Sequence, residues 1–301
     1  MITIIGAGRV GSSAAMRIAD LNIDDVLLVD IVEGLPMGEA LDIGQSCNFD
    51  VDLRGSNNFQ DIKGSDLVIN TAGLAREPGM NRLDLTRKNF EITKSIGEKL
   101  KRYAAGTVLM QVANPVDLMA LAQLKVTGFP SERVIAMGNM LDTLRFSYFI
   151  AKEAGVSPAK VESLVLGEHG DSMAPAASQA KIEGKPIKEV LDQKRIDSII
   201  ERTGQAGGEV IKLKGSTFYA PSQAIAILTE AIIKDKKTVH PTSAYLQGEY
   251  GVSGVYAGVP ARLGKGGLEE IVELDLDDNE LSKFRESCSV LKGKAKELGL
   301  L

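Results

Sequence analysis

The hexapeptide Gly6-Ala7-Gly8-Arg9-Val10-Gly11 sits between the apolar run Ile2 to Ile5 and a segment whose apolar residues repeat at helical spacing, and it limits this chain to few folds. Glycines at these spacings suit a strand that turns sharply into a helix. Gly6 permits the tight turn, Gly8 lets backbone approach a pyrophosphate, and Gly11 lets helix pack closely on strand. The phosphates of such a ligand lie at the helix N-terminus, where N–H groups and the dipole favour an anion. With 31 glycines in the chain, the spacing alone is weak and its context must carry the argument. A second apolar run, Val26 to Val29, ends at Asp30, nineteen residues past Gly11. A carboxylate there can accept both hydroxyls of a ribose and would repel a 2′-phosphate, which predicts NAD rather than NADP. Two other readings stay open at this point: Asp30 as a solvated strand-end acid, and a methyltransferase that uses a similar glycine loop and acid.

Further continuous apolar runs at Leu67 to Thr71, Val108 to Val112 and Val134 to Met137 have the length and composition of strands buried on both faces. Between them, Val10, Ala14, Ile18 and Leu21, and later Phe90, Ile92, Ile96 and Leu100, recur with a helical period. The pattern predicts an α/β fold with a doubly wound parallel sheet reaching to about residue 140. The second half differs: an extended stretch from Val161 to Leu166, helices over Gln193 to Lys212 and Pro221 to Ile233, and a final charged helix over Asp278 to Leu298. Thr238 to Gln247 and Gly254 to Arg262 read as antiparallel strands half-exposed to solvent. These features predict a first domain over residues 1–140 and an α+β second domain with antiparallel strands over 141–301, closely packed, with the site in the crevice between them.

Composition removes several function classes. Lysine and arginine total 35 against 40 acids, for a net charge of −5, so nucleic acid and anionic membrane are not expected partners. No apolar stretch reaches the roughly 18 residues of a membrane span, and Met1 runs into the glycine motif without a basic leader, so a cytoplasmic protein is expected. Cys47 and Cys288 stand far apart with no paired cysteines, which argues against a disulfide framework, a zinc site or an iron–sulfur cluster; no metal is expected. Only His169 and His240 are available for imidazole chemistry.

His169 lies in Gly167-Glu168-His169-Gly170-Asp171-Ser172, a setting that suits a ring projected from a strand end into a cleft, although it would equally suit a loop histidine without function. Asp142 and Arg145 share one face of a helix beginning near Asn139. They form either a surface ion pair or a carboxylate that orients His169 beside an arginine that binds a substrate carboxylate through two parallel hydrogen bonds. The segment from Thr71 to Arg82, with glycines near both ends, reads as a lid whose arginines swing over a bound anion.

Six motifs in this order, GAGRVG, TAGLAREPGMNR, VANPVD, NMLDTLRF, GEHGDS and GVPARLGKGG, make the chain resemble the lactate/malate dehydrogenase superfamily along nearly its whole length, and most closely the malate dehydrogenases that are lactate-dehydrogenase-like in sequence. The resemblance implies a Rossmann domain followed by a substrate domain, with hydride passing between nicotinamide and C2 of a 2-hydroxy acid. By motif position it implies His169 as acid/base, Asp142 as its orienting carboxylate, Arg145 as carboxylate clamp and Arg82 as the loop arginine that polarises the reacting carbonyl. Asn114 is implied beside the nicotinamide, bonded to the substrate oxygen, and Arg9, Val10, Asn89 and Val112 join Gly6, Gly8, Gly11 and Asp30 at the cofactor. His240 matches no catalytic position and is expected to be structural.

Arg76 occupies the position that distinguishes substrates in this superfamily, arginine in malate dehydrogenases and glutamine in lactate dehydrogenases, which implies malate and oxaloacetate. The chemistry agrees, because oxaloacetate carries two carboxylates and Arg145 neutralises one; a closed site holding pyruvate would leave Arg76 unpaired at a cost of several kcal/mol. Glu77 departs from the lysine many relatives carry, and adjacent residues on an extended loop point opposite ways, so little competition for Arg76 is expected. A lactate or other 2-hydroxyacid dehydrogenase and a non-catalytic NAD-binding protein are the alternative readings. The resemblance further implies the tricarboxylic acid cycle and a homodimer or homotetramer, with apolar surface at Met37 to Ile43 and Pro221 to Ile233 serving either subunit contacts or the core.

Overall fold

The computed structural model describes residues 1–46, 49–74 and 82–301, with only the backbone of Arg82 and Leu83. In chain order the first half contains β1 (Ile2–Ile5), α1 (Arg9–Asp20), β2 (Val26–Val29), α2 (Leu35–Ser46), β3 (Leu53–Ser56), β4 (Leu67–Asn70), α3 (Arg82–Tyr103), β5 (Val108–Gln111), α4 (Val116–Thr127) and β6 (Val134–Ala136). The second half contains α5 (Gly138–Ala154), the two-residue strands β7 (Val161–Glu162), β8 (Val165–Leu166), β9 (Ala174–Pro175), β10 (Lys181–Ile182) and β11 (Lys185–Pro186), then α6 (Ile187–Val190), α7 (Gln193–Lys214), α8 (Tyr219–Ile233), β12 (Thr238–Gln247), β13 (Ser253–Gly264), β14 (Gly267–Ile271) and α9 (Asp278–Glu297).

Strands β1 to β6 pair in parallel in the order β3-β2-β1-β4-β5-β6, the doubly wound arrangement. Their continuous apolar runs follow from burial on both faces. Ile2, Ile4, Leu28, Ile69, Met110 and Ile135 point into one core with α1 and α8, while Ile5, Leu27, Val68, Leu109 and Val134 point into a second with α3, α4 and α9. Each fully buried Ile or Leu contributes roughly 1.5–3 kcal/mol relative to exposure. A third cluster, around Phe146, Ile150, Ile187 and Ile196, joins α5 to α6 and α7.

The structure departs from the sequence reading in three places. β3 has no apolar run because it is the edge strand, and its Gly55 lies where an added Cβ would stand 2.1 Å from the Pro36 carbonyl oxygen of α2. The extended stretch at 161–166 is two strands with different partners, β7 on β10 and β8 on β9. β12 and β13 are not half-exposed: Pro241 to Ala244 and Val255 to Ala261 are buried, because helices pack on both faces, and β12 joins the parallel sheet through a single pair, Ser243 opposite Ala136. Of the two apolar surfaces for which the sequence left subunit contact and core open, that of the Pro221–Ile233 segment is core, with Ala224, Ile225, Leu228 and Ile232 at most 1% exposed, whereas Met37 and Leu41 of α2 are exposed. Among the described residues no helix is long and apolar enough to cross a membrane.

The glycine loop shows how closely the first turn is fitted. A Cβ on Gly11 would stand 1.9 Å from the Gly6 carbonyl oxygen, and Gly6 itself has φ +99°, whereas a Cβ on Gly8 would meet nothing within 4 Å. Gly11→Ala is therefore expected to cost about 1–3 kcal/mol through overpacking. Gly8→Ala is expected to stay within about 0.5 kcal/mol of wild type. Urea unfolding followed by circular dichroism distinguishes them, and equal midpoints for the two variants would contradict the packing account.

Candidate active site

In an open parallel sheet the ligand crevice lies outside the carboxyl ends of the strands, where the winding reverses. Here that position is between β1 and β4. Thr71, just past β4, crosses directly behind the glycine loop, and its hydroxyl donates to the carbonyls of Ile5 (3.0 Å) and Gly6 (2.9 Å). Asp30, just past β2, accepts the Ala7 N–H at 2.7 Å on Oδ2 and the Val32 N–H at 2.9 Å on Oδ1. It thus clamps the loop, a role its sequence position did not reveal. Each carboxylate oxygen can accept a second hydrogen bond, so capacity for ribose hydroxyls remains.

The region fits a dinucleotide. Helix α1 begins without a side-chain cap and without an acid in its first turn, so its N-terminal N–H groups and dipole face an anion unopposed, and Gly8 leaves open space beside them. Arg9 is exposed and reaches across to the α7–α8 connection, its Nη1 donating to Ser216 Oγ at 3.1 Å. Val10 and Val112 are half-buried along the same edge, and Asn114 is exposed, with Oδ1 accepting the Val116 N–H at 3.3 Å. Asn89 is nearly fully buried; its amide accepts the Leu74 N–H at 2.8 Å and donates to the Asn114 carbonyl at 2.8 Å and to the Leu74 carbonyl at 3.3 Å. It braces these two backbones rather than presenting a free amide.

His169 follows β8 across Gly167, whose φ of +81° suits glycine, and Gly167 exchanges backbone hydrogen bonds with Gly258 of β13 at 2.9 and 2.8 Å. The loop comes so near the start of α5 that a Cβ on Gly138 would stand 2.5 Å from His169 Cβ. One turn along α5, the fully buried Asp142 accepts from His169 Nδ1 on Oδ2 at 2.6 Å and from Arg145 Nη1 on Oδ1 at 3.2 Å. The His169 and Arg145 side chains are each 14% exposed, so the surface ion-pair reading does not hold. A carboxylate can only accept, which places the proton of a neutral imidazole on Nδ1 and leaves Nε2 to meet a substrate. Burial alone would depress the proton affinity of His169; the Asp142 charge and hydrogen bond, aided by Asp117 and opposed by Arg145, raise it above the ordinary histidine value.

Arg76 and Cys47 lie outside the described residues, and Arg82 is placed only as the first backbone residue of α3. Cys288 is buried in α9, and burial pushes its thiol up to about 12, so it is inert. His240 bonds Thr238 Oγ1 through Nε2 at 2.8 Å, and burial together with Lys236 lowers its proton affinity. Three site residues escaped the sequence reading. Asn139 donates to the Gly167 carbonyl at 3.1 Å, Gly207 of α7 lies against the Arg145 guanidinium, where an added Cβ would stand 3.3 Å from Nη2, and Asp117 accepts the His169 backbone N–H at 2.9 Å. Asn139 and Asp117 both stand inside motifs, but their types there are equally those of an ordinary helix start.

Residues 1–136 match the family model described as lactate/malate dehydrogenase, NAD binding domain, and residues 139–299 match the one described as lactate/malate dehydrogenase, alpha/beta C-terminal domain. The malate dehydrogenase of Methanosarcina mazei is 43% identical over 97% of this chain and 96% of its own. In three dimensions the malate dehydrogenase from Aeropyrum pernix superposes with a TM-score of 0.95 at 39% identity, covering 99% of this chain and 98% of its own. The lactate dehydrogenase from Cryptosporidium parvum, complexed with lactic acid and nicotinamide adenine dinucleotide, superposes with a TM-score of 0.95 at 37% identity, covering 99% of this chain and 97% of its own. With family models matching residues 1–136 and 139–299 and a site built around a buried His–Asp–Arg cluster, the chain belongs to the lactate/malate dehydrogenase family.

Proposed function

We propose that this chain is an NAD-dependent malate dehydrogenase, catalysing reversible hydride transfer between malate and oxaloacetate. The observation that carries this is Asp142, a single buried carboxylate that orders an acid/base on one oxygen and a carboxylate-binding arginine on the other. Asp30 and the N-terminus of α1 would hold NAD, which when bound would supply the hydride acceptor for malate and, reduced, the donor for oxaloacetate. His169 Nε2 takes the hydroxyl proton as malate is oxidised and gives it back as oxaloacetate is reduced, while Asp142 stabilises the imidazolium. Arg145 grips the carboxylate next to the reacting carbon through its planar fork and fixes that carbon relative to His169. Arg82 polarises the carbonyl oxygen as it gains charge, and Asn114 bonds the same oxygen beside the nicotinamide. Arg76 neutralises the second carboxylate and so separates oxaloacetate from pyruvate.

On this reading residues 1–140 hold the cofactor, with Gly6, Gly8, Arg9, Val10, Gly11, Asp30, Asn89, Val112 and Asn114 around it, and residues 141–301 supply the acid/base and the clamp. The exposed Met37 and Leu41 support assembly into a homodimer or a tetramer of two dimers. The free buried thiol of Cys288 is in keeping with a cytoplasmic enzyme, and the malate–oxaloacetate reaction is a step of the tricarboxylic acid cycle.

NADH consumption measured with oxaloacetate and with pyruvate tests the reading, since a lactate dehydrogenase shares this fold. Rapid turnover is expected with oxaloacetate and NADH, and little with pyruvate or NADPH; a preference for pyruvate would overturn the assignment of substrate. Arg76→Gln should lower oxaloacetate turnover by roughly two orders of magnitude or more while sparing pyruvate. An unchanged ratio would remove Arg76 from its role. The second test concerns pH. Because reduction of oxaloacetate requires the imidazolium, its rate falls as pH rises through the raised His169 value. Removing the charge with Asp142→Asn should move that alkaline limb to lower pH and reduce kcat/KM on the order of 10²-fold. A limb that stays in place would show that Asp142 does not set the proton affinity of His169.

A further inference from the structure

Asp117 is a buried carboxylate that the mechanism above leaves unused. It lies in the first turn of α4, where an acid ordinarily faces solvent and complements the helix dipole, yet it is 4% exposed and turns inward. Its Oδ2 accepts the backbone N–H of His169 at 2.9 Å, and its Oδ1 accepts the Ser243 hydroxyl at 2.6 Å. One side chain therefore joins α4, the His169 loop and β12. The charge that favours its ionisation is His169; Glu168, itself paired with Lys294 of α9 and bonded to Ser172, opposes it, and the Cys288 thiol of α9 feels it. On the other side of the imidazole stand Asp142 and Arg145 of α5.

We propose that Asp117 is a positioning residue for the acid/base: it anchors the backbone of His169 while Asp142 anchors the ring, and its charge acts with that of Asp142 to hold the proton on the imidazole. The inference rests on the reading of His169 as acid/base. The need for a second anchor follows from the loop itself, because His169 is followed by Gly170 and Gly167 stands two residues before it, and glycines confer backbone freedom that one ring hydrogen bond does not remove. With the peptide N–H and Nδ1 both held, the direction of Nε2 is set. Burial pushes the Asp117 carboxyl up to about 6, with Ser243 and the His169 N–H drawing it back, and once ionised its charge favours the imidazolium of His169.

The chain has two histidines, so its imidazole carbon resonances can be followed in protein labelled at histidine, with His240→Gln providing the assignment. In Asp117→Asn the side chain keeps an acceptor for the His169 N–H and can donate to Ser243 in place of accepting. The His169 midpoint is expected to fall by roughly half to one pH unit, and kcat about tenfold with KM little changed, the alkaline limb of oxaloacetate reduction moving by the same interval. Asp117→Ala, which loses the anchor as well, should be slower still, and the asparagine variant should restore part of that loss. If folded Asp117→Asn shows His169 titrating at the wild-type midpoint with an unmoved pH profile, the proposal is wrong. Should Asp117→Asn fail to fold, Ser243→Ala decides: weakening the ionised carboxylate should shift His169 the same way by a smaller amount, and an unmoved midpoint overturns the proposal. His169→Gln separates this proposal from the reading beneath it. Wild-type turnover in that variant overturns the acid/base role and this inference with it, whereas an inactive His169→Gln beside an unmoved Asp117→Asn overturns this inference alone.

Discussion

The carboxylate of Asp142 is the interaction on which the rest of the site depends. A fully buried anion is costly unless each oxygen has a charged or hydrogen-bonding partner, and here one oxygen takes His169 Nδ1 and the other Arg145 Nη1. Deleting one partner of such a cluster leaves an uncompensated charge at roughly 3–5 kcal/mol, so the three side chains stand or fall together. Their spacing is a helical one: Asp142 and Arg145 are three residues apart on α5, so the carboxylate that orients His169 and the guanidinium beside it share the rigidity of one helix. The neighbours keep that geometry by being small. Gly138 admits the His169 loop, and Gly207 of α7 leaves the guanidinium its plane.

The cofactor side is organised by a comparable economy. Asp30 holds the N–H of Ala7 and the N–H of Val32, fastening the end of β2 to the loop that follows β1. Thr71 fastens the end of β4 to the same loop. Three adjacent parallel strands thus converge on one turn at the switch point of the sheet, and the helix leaving that turn presents an uncapped N-terminus. On the reading proposed above, the carboxylate that shapes the loop also accepts the ribose hydroxyls, so preorganisation and recognition reside in one side chain.

Five of the six parallel strands were legible because burial on both faces writes them as unbroken apolar runs. β3 was not, since an edge strand with Leu53-Arg54-Gly55-Ser56 carries no such run. The antiparallel pair β12–β13 was placed correctly along the chain but misjudged in exposure: its alternation of small and apolar residues reflects close packing under helices, as where Gly258 admits the Asn139 side chain, rather than a wet face. At the site, the grouping of His169, Asp142 and Arg145 was legible through the ordered motifs GEHGDS and NMLDTLRF, since the residues alone left a loop histidine and a surface ion pair open. Asp117 was not. An aspartate after Asn-Pro-Val at a helix start is the commonest of patterns, and only the fold, by carrying His169 and Ser243 to it, gives it a partner.

On the proposed reading Arg145 also links substrate to protonation. Its positive charge opposes the imidazolium of His169, with Asp142 lying between them. Without substrate, protonating His169 sets its charge against that of Arg145 across the shared Asp142, in a site where each side chain is 14% exposed, and the Arg145 charge offsets part of what Asp142 and Asp117 contribute. A carboxylate held by Arg145 cancels that charge, so its arrival removes the one neighbouring charge that works against the proton. The acid form needed for oxaloacetate reduction is then favoured most when a carboxylate is in place, and binding and proton uptake reinforce each other through the same Asp142. Coupling of this kind is reciprocal: whatever holds the proton on His169 also tightens the grip of Arg145 on its anion.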